Sequence, residues 1–124
     1  MQAEPSPRRT QDLLIESEPS LDEVLHVFGI RDHERRTYRV LRRRPQSTVA
    51  ELAAELDRDR SNVNRSLSTL CEKGLADRER RLLDGGGHVY QYAATPPAEV
   101  RTLLHRSLEA WADAGHDRID DFGE

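Results

Sequence analysis

The 124-residue sequence predicts a mainly α-helical domain carrying one small β-hairpin, and three observations lead there. Two Ser/Thr-x-x-Glu boxes, Ser20-Leu21-Asp22-Glu23 and Thr48-Val49-Ala50-Glu51, stand at the head of apolar stripes of helical period. In such a box the hydroxyl and the carboxylate satisfy each other's free backbone donors at a helix start. Residues 48–75 read as two short amphipathic helices joined by a tight polar turn. Beyond Gly74 the period changes to that of strands, on either side of Asp84-Gly85-Gly86-Gly87.

Residues 1–19, with Pro5, Pro7 and Pro19 among Ser, Glu and Arg, are expected to form a disordered tail in which Leu13, Leu14 and Ile15 offer a local docking point. The first helix follows the Ser20 box, with Leu21, Val24, Leu25 and Phe28 as its apolar stripe and Gly29 as its stop. A second helix is expected over about Asp32 to Arg43, turning Tyr38, Val40 and Leu41 inward and ending at Pro45. The Thr48 box opens a third, with Val49, Leu52, Ala53 and Leu56 on one face. Asp57 and Asp59 fill the next turn, and Asp59 caps a helix over about residues 60–73. Its Val63, Leu67 and Leu70 recur at i, i+4 and i+7, the stripe of a helix lying on a core. At about 100° per residue, Arg65 points almost directly away from that stripe. Residues 76–93 form the hairpin, and Thr95-Pro96 caps a final helix carrying Val100, Leu103, Leu104, Leu108 and Trp111. The acidic residues 113–124 follow, with Ile119 and Phe122 as anchors.

Composition bounds the function. With 35% apolar residues and few aromatics, the chain has one small core. Charged residues make up 34%, and no apolar run approaches the roughly 20 residues of a membrane span. The start of the chain lacks the apolar segment of a signal peptide, and one cysteine permits no internal disulfide. A cytoplasmic protein without membrane contact is expected. Cationic residues are 18 Arg against Lys73 alone, beside 23 acidic residues. That balance resembles proteins of salt-loving archaea, although a GC-rich genome alone gives the same Arg bias. The net charge of −4 is unevenly placed. Residues 1–30 hold two Arg against six acidic residues and residues 95–124 three against seven, whereas residues 31–44 and 58–81 are net positive. A phosphate responds to the local sign, within about a Debye length.

Two helices about a tight turn, the second presenting Ser, Asn and Arg outward, form the helix-turn-helix arrangement, and a hairpin directly after it makes a wing. The chain is thus expected to be a winged helix-turn-helix over residues 20–95, with an added N-terminal helix and a C-terminal helix and acidic tail over 96–124. Double-stranded DNA is the expected partner. Ser61, Asn62, Asn64, Arg65 and Ser68, with Thr69 at the margin, are the candidates for base contact. Arg pairs bidentately with guanine and Asn with adenine. Their plainer reading is the solvated face of a helix. Thr48 at the preceding helix start, and Arg58 and Arg60 in the turn, are candidates for phosphate, although Thr48 is fully occupied as a cap and Asp57 and Asp59 can neutralise the two Arg. Arg78, Arg80 and Arg81 suit a wing on adjacent DNA; they suit equally a charged hairpin protecting its edge. The basic run Arg35, Arg36, Arg39, Arg42, Arg43 and Arg44 divides between phosphate contact and a solvated face.

The chain resembles the DNA-binding domain of the TrmB-like winged-helix regulators, near the wider MarR-like group. The resemblance rests on Phe28-Gly29-Ile30, residues 34–41 (ERRTYRVL), Val49-Ala50-Glu51-Leu52-Ala53, residues 61–67 (SNVNRSL) and residues 70–75 (LCEKGL). It covers roughly residues 20–95 and implies a transcriptional regulator, with repression favoured over activation. Longer members of the family carry a C-terminal sugar-binding domain for which this sequence has no room, so sugar sensing is not expected. Asn64 stands where such proteins often place an aromatic.

The final helix, through Val100, Leu103, Leu104, Leu108 and Trp111, is expected to make a homodimer, with packing on its own domain as the alternative. Cys71, at the edge of the fourth helix's buried face, is either a small buried hydrophobe or a redox switch. The five His show no metal-ligand spacing, and neither a catalytic constellation nor a cofactor motif is present, so no metal, no cofactor and no enzyme activity are expected. A winged helix serving as a protein–protein module of a transcription complex is the reading from another class; it would tolerate loss of Arg65, Arg80 and Arg81.

Overall fold

The computed structural model describes residue 14 and residues 17–124. The expected tail, with Leu13 and Ile15, lies largely outside the described residues, and Leu14 is exposed. Five helices and one hairpin follow in the order α1 (Leu21–Val27), α2 (Asp32–Arg43), α3 (Val49–Leu56), α4 (Arg60–Glu72), β1 (Ala76–Leu82), β2 (His88–Ala94) and α5 (Pro97–Asp120). The chain divides into two compact units, Met1–Arg31 and Asp32–Glu124.

In the first unit the Ser20 box forms as expected: Ser20 Oγ accepts from the Glu23 N–H, and Glu23 accepts from the Ser20 N–H. The Ile30 N–H closes the helix on the Leu25 carbonyl. Leu25 and Ile30 are buried, but Leu21, expected inward, is 55% exposed. The stripe of so short a helix reduces to Val24, Leu25 and Phe28.

In the second unit the core is built from Val40 and Leu41 of α2, Leu52 and Ala53 of α3, and Val63, Leu67 and Leu70 of α4, closed by Leu75, Ala76, Tyr92 and Val100. Burial of each large side chain contributes roughly 1.5–3 kcal/mol. The α2 face is less apolar than its spacing implied: Thr37 and Glu34 are buried, and Tyr38 only half so. Thr37 is compatible because its hydroxyl donates to the His33 carbonyl. Glu34 pairs with His33. Tyr38 donates its hydroxyl to the Thr95 carbonyl at 2.6 Å. Burial raises the Tyr38 pKa above its ordinary value, while Arg42 and Arg101 pull it down.

The Thr48 box and the Asp59 cap both form. Between them Asp57 takes a left-handed conformation (φ 54°), which Asp tolerates better than most residues, so α3 and α4 join within three residues. The hairpin pairs Ala76 with Ala94, Arg78 with Tyr92, Arg80 with Tyr90 and Leu82 with His88. Ser47 exchanges backbone hydrogen bonds with Tyr92 and so adds a one-residue third strand.

Two expectations about the last helix need correction. Thr95 does not cap it: its hydroxyl donates to the Gly74 carbonyl 21 residues back, and the cap is Pro96. The acidic stretch is not a separate tail, because α5 continues unbroken to Asp120, and among the described residues nothing covers Ile119 (67% exposed) or Phe122 (93% exposed). Among the described residues no helix is long and apolar enough to cross a membrane, and no cluster of side chains could hold a metal ion.

Gly74 terminates α4 at φ +82°, and a Cβ there would meet Leu103 Cδ2 at 3.2 Å. Gly74→Ala is therefore expected to lower the free energy of unfolding by about 1–2 kcal/mol, the cost of a left-handed L-residue. Urea denaturation measures this, and an unchanged midpoint would overturn the account.

Candidate nucleic-acid interface

Helix α4 separates its faces cleanly. Val63, Leu67 and Leu70 are fully buried, whereas Ser61, Asn64, Arg65 and Ser68 are exposed on the opposite side, with Asn62 and Thr69 half-buried at the margins. Four of the six residues expected to face outward share one strip beginning at the N-terminal turn; Asn62 and Thr69 sit at its edges. Ser66, unassigned by the sequence reading, is buried at 1% exposure, and its hydroxyl has no hydrogen-bond partner among the described residues.

The strip is not a row of independent side chains. Asn62 Nδ2 donates to Asp59 Oδ2 at 3.0 Å, and Asn62 Oδ1 accepts from Arg65 Nη2. Asp59 thus combines helix capping with a tie to Asn62, a role visible in sequence only as a three-residue spacing. Arg60 is exposed and Arg58 half-buried beside it. Thr48 is half-buried, and its hydroxyl accepts from the Glu51 N–H at 3.1 Å.

The hairpin sorts its three Arg residues by pleat, since successive strand residues point to opposite faces. Arg78 and Arg80 share a face with Tyr90 and Tyr92; Arg81 lies on the other, opposite Val89. The face with Arg78 looks onto α4: Ser68, Cys71 and Glu72 line an open groove of about 370 Å³ with Arg78 and Tyr92. The Arg78 guanidinium stacks 4.0 Å above the Tyr90 ring, a cation–π contact that steadies it. Tyr90 was absent from the sequence reading because the contact is diagonal across the strands and needs the register to be seen. The structure therefore brings Arg78 and Arg80 to the side of the exposed α4 strip and leaves Arg81 on the far side of the wing.

Of the basic run on α2, Arg36 pairs with Asp32 at 3.6 Å and Arg44 with Glu55, while Arg39, Arg42 and Arg43 are exposed. On α5, Val100 is buried in the chain's own unit and Leu103 packs near Gly74. Leu104 is half-buried, and Leu108 (40% exposed) and Trp111 (57% exposed) face outward.

Cys71 is a free, half-buried thiol. Burial pushes its pKa above the ordinary value; Asp77 adds to the rise and Arg78 offsets part of it. A raised pKa leaves less thiolate at any given pH, and the thiolate is the reactive form. Alkylation by iodoacetamide at neutral pH is expected to run slower than that of free cysteine; an equal or faster rate would restore a redox-active thiol.

Comparison with known proteins places this geometry. A family model described as "Sugar-specific transcriptional regulator TrmB" matches residues 25–98. An uncharacterized protein of Methanocaldococcus jannaschii is 30% identical over 87 residues, covering 70% of this chain and 66% of the relative, just under two thirds of its length. A solved structure from Methanosarcina mazei Go1, described as a possible transcriptional regulator, superposes with a TM-score of 0.76 at 23% identity, over 87% of this chain and 92% of that one. A MarR protein from Peptoclostridium difficile DA00132 superposes with a TM-score of 0.54 at 14% identity, over 83% and 65%. At such identities the two solved structures speak for a shared fold.

Proposed function

The chain belongs to the TrmB family of transcriptional regulators, a family of regulators and not of enzymes, and on that premise we propose that it binds double-stranded DNA sequence-specifically. The observation that carries the reading is the exposed strip Ser61, Asn64, Arg65 and Ser68 on a helix whose other face is fully buried. Such a helix enters the major groove and offers its outer side chains to base edges. The wing follows on neighbouring DNA, with Arg78 and Arg80 on the side of α4; Arg58, Arg60 and the turn before α4 lie where the sugar–phosphate backbone passes. Local charge favours this: residues 31–44 and 58–81 are net positive within a chain of net charge −4.

The proposal extends to a homodimer through α5. Leu104, Leu108, Trp111, Gly115 and Arg118 recur along α5 at alternating spacings of four and three, the seam of a helix pair. An antiparallel second copy would set Trp111 of each chain over Gly115 of the other. Gly115 disfavours an isolated helix, and within the chain a side chain there would meet nothing within 4 Å. A close helix partner supplies a reason for it. Val100 and Leu103 serve the chain's own domain and support the base of the helix rather than the seam. A two-fold dimer presents two α4 helices to successive major grooves, so the favoured site is roughly palindromic. The direction of control is taken to be repression, by occluding a promoter.

Genome-wide immunoprecipitation of the tagged protein at native salt, beside Arg65→Ala, tests the reading. The wild type is expected to give sharp peaks sharing a palindromic motif. Arg65→Ala is expected to lose them, at roughly 1–3 kcal/mol of discrimination for one bidentate base contact. Peaks unchanged by the substitution would turn the reading to a protein-binding module. Arg80→Ala should weaken binding across sequences more than Arg81→Ala, whose side chain faces away. Light scattering tests the dimer: a two-chain mass falling to one chain in Trp111→Asp supports it, and a one-chain wild type overturns it.

A further inference from the structure

Asp59, Asn62 and Arg65 follow one another at three-residue spacing along the start of α4, and their side chains are joined end to end. Asp59 Oδ1 takes the Asn62 backbone N–H at 2.8 Å, as a cap should, while Oδ2 takes the Asn62 side-chain amide at 3.0 Å. The far end of that amide, Oδ1, accepts from Arg65. The orientation of the amide is settled by its neighbours. An ionised carboxylate only accepts and a guanidinium only donates, so oxygen and nitrogen cannot be exchanged. Asn62 is half-buried and gripped at both ends; Arg65 is exposed and gripped at one.

We propose that Asn62 is a positioning residue for Arg65, anchored by Asp59, rather than a base reader in its own right. The inference rests on the reading of α4 as the recognition helix and says which of its residues reads. A long Arg side chain loses rotamer freedom on reaching a base, and holding it beforehand reduces that loss. Asn62 Oδ1 takes up one of the N–H donors of Arg65 and leaves the others for the O6 and N7 acceptors of a guanine. Asn64 and Ser68, with no such tie among the contacts described, remain independent of this chain of bonds.

The test selects binding sites for the full chain from a pool of random-sequence DNA duplexes, comparing wild type, Arg65→Ala, Asn62→Ala, Asp59→Ser and the double variant Asn62→Ala/Arg65→Ala. Asp59→Ser keeps a capping hydroxyl and removes the oxygen that holds the amide; a melting curve for each variant separates loss of fold from loss of aim. The wild-type motif is expected to contain a guanine position lost in Arg65→Ala. Asn62→Ala and Asp59→Ser should flatten that same position, by roughly three- to tenfold in preference, the factor for freeing one rotamer-rich side chain. The double variant should be no worse there than Arg65→Ala. An Asn62→Ala variant that erases a separate adenine position and leaves the guanine intact overturns the inference while sparing the function; so does a motif unchanged in both Asn62→Ala and Asp59→Ser. A wild type that selects no sequence, or a motif indifferent to Arg65→Ala, sinks both.

Discussion

The Leu75 amide closes α4 by donating to the Leu70 carbonyl at 2.8 Å, and the carbonyls of Gly74 and Leu75 in turn receive the Thr95 hydroxyl and amide. At this one corner the end of α4, the root of β1 and the approach to α5 are bonded to each other, and Leu103 packs against the space a side chain on Gly74 would need. The exposed strip of α4 has a defined direction because the helix is held here at its end and along Val63, Leu67 and Leu70 at its back. The positions of wing and C-terminal helix relative to that strip follow from the same few backbone bonds. A left-handed residue at the junction is what permits the chain to turn so sharply.

The outer surface combines two scales of electrostatics. At long range the chain is acidic, with its negative charge toward both ends of the sequence. At short range positive charge gathers on α2, α4 and the wing, and the structure assigns much of it to particular partners. Arg44 is held by Glu55, Arg36 by Asp32, Arg65 by Asn62, and Arg78 by the Tyr90 ring. These are mostly exposed contacts, weak as sources of stability. Their effect is on direction: each long side chain starts from a preferred arrangement.

Local hydrogen bonding made the helix starts legible in the sequence. Ser20 with Glu23, Thr48 with Glu51, and Asp59 with Asn62 each bond across three residues, so the chain needs no distant partner to show them. The buried stripe of α4 was legible in the spacing of its apolar residues, and the hairpin in the change of period around its Gly run. What escaped were features set by residues far apart. Thr95 has the composition of a cap, yet Gly74 takes its hydroxyl. Thr37 and Glu34 are buried on α2, where polarity alone argued otherwise, and each has a polar partner on its own helix. The separation of Arg81 from Arg78 and Arg80 was implicit in the two-residue period of a strand, but which face turns to α4 needed the register with β2 and its packing. Leu21, Ile119 and Phe122 show the opposite error: an apolar residue in helical register finds cover only if the rest of the chain reaches it.

The Ser47–Tyr92 bridge gives the wing a mechanical property. Ser47 is bonded through both its amide and its carbonyl to the middle of β2, and its hydroxyl to Arg44 at the end of α2. The next residue is Thr48, the cap on which α3 begins. The hairpin is therefore no free flap but a lever whose fulcrum sits one peptide bond from a helix start. Displacing β2 at Tyr92 means breaking the Ser47 bonds beside the first turn of α3.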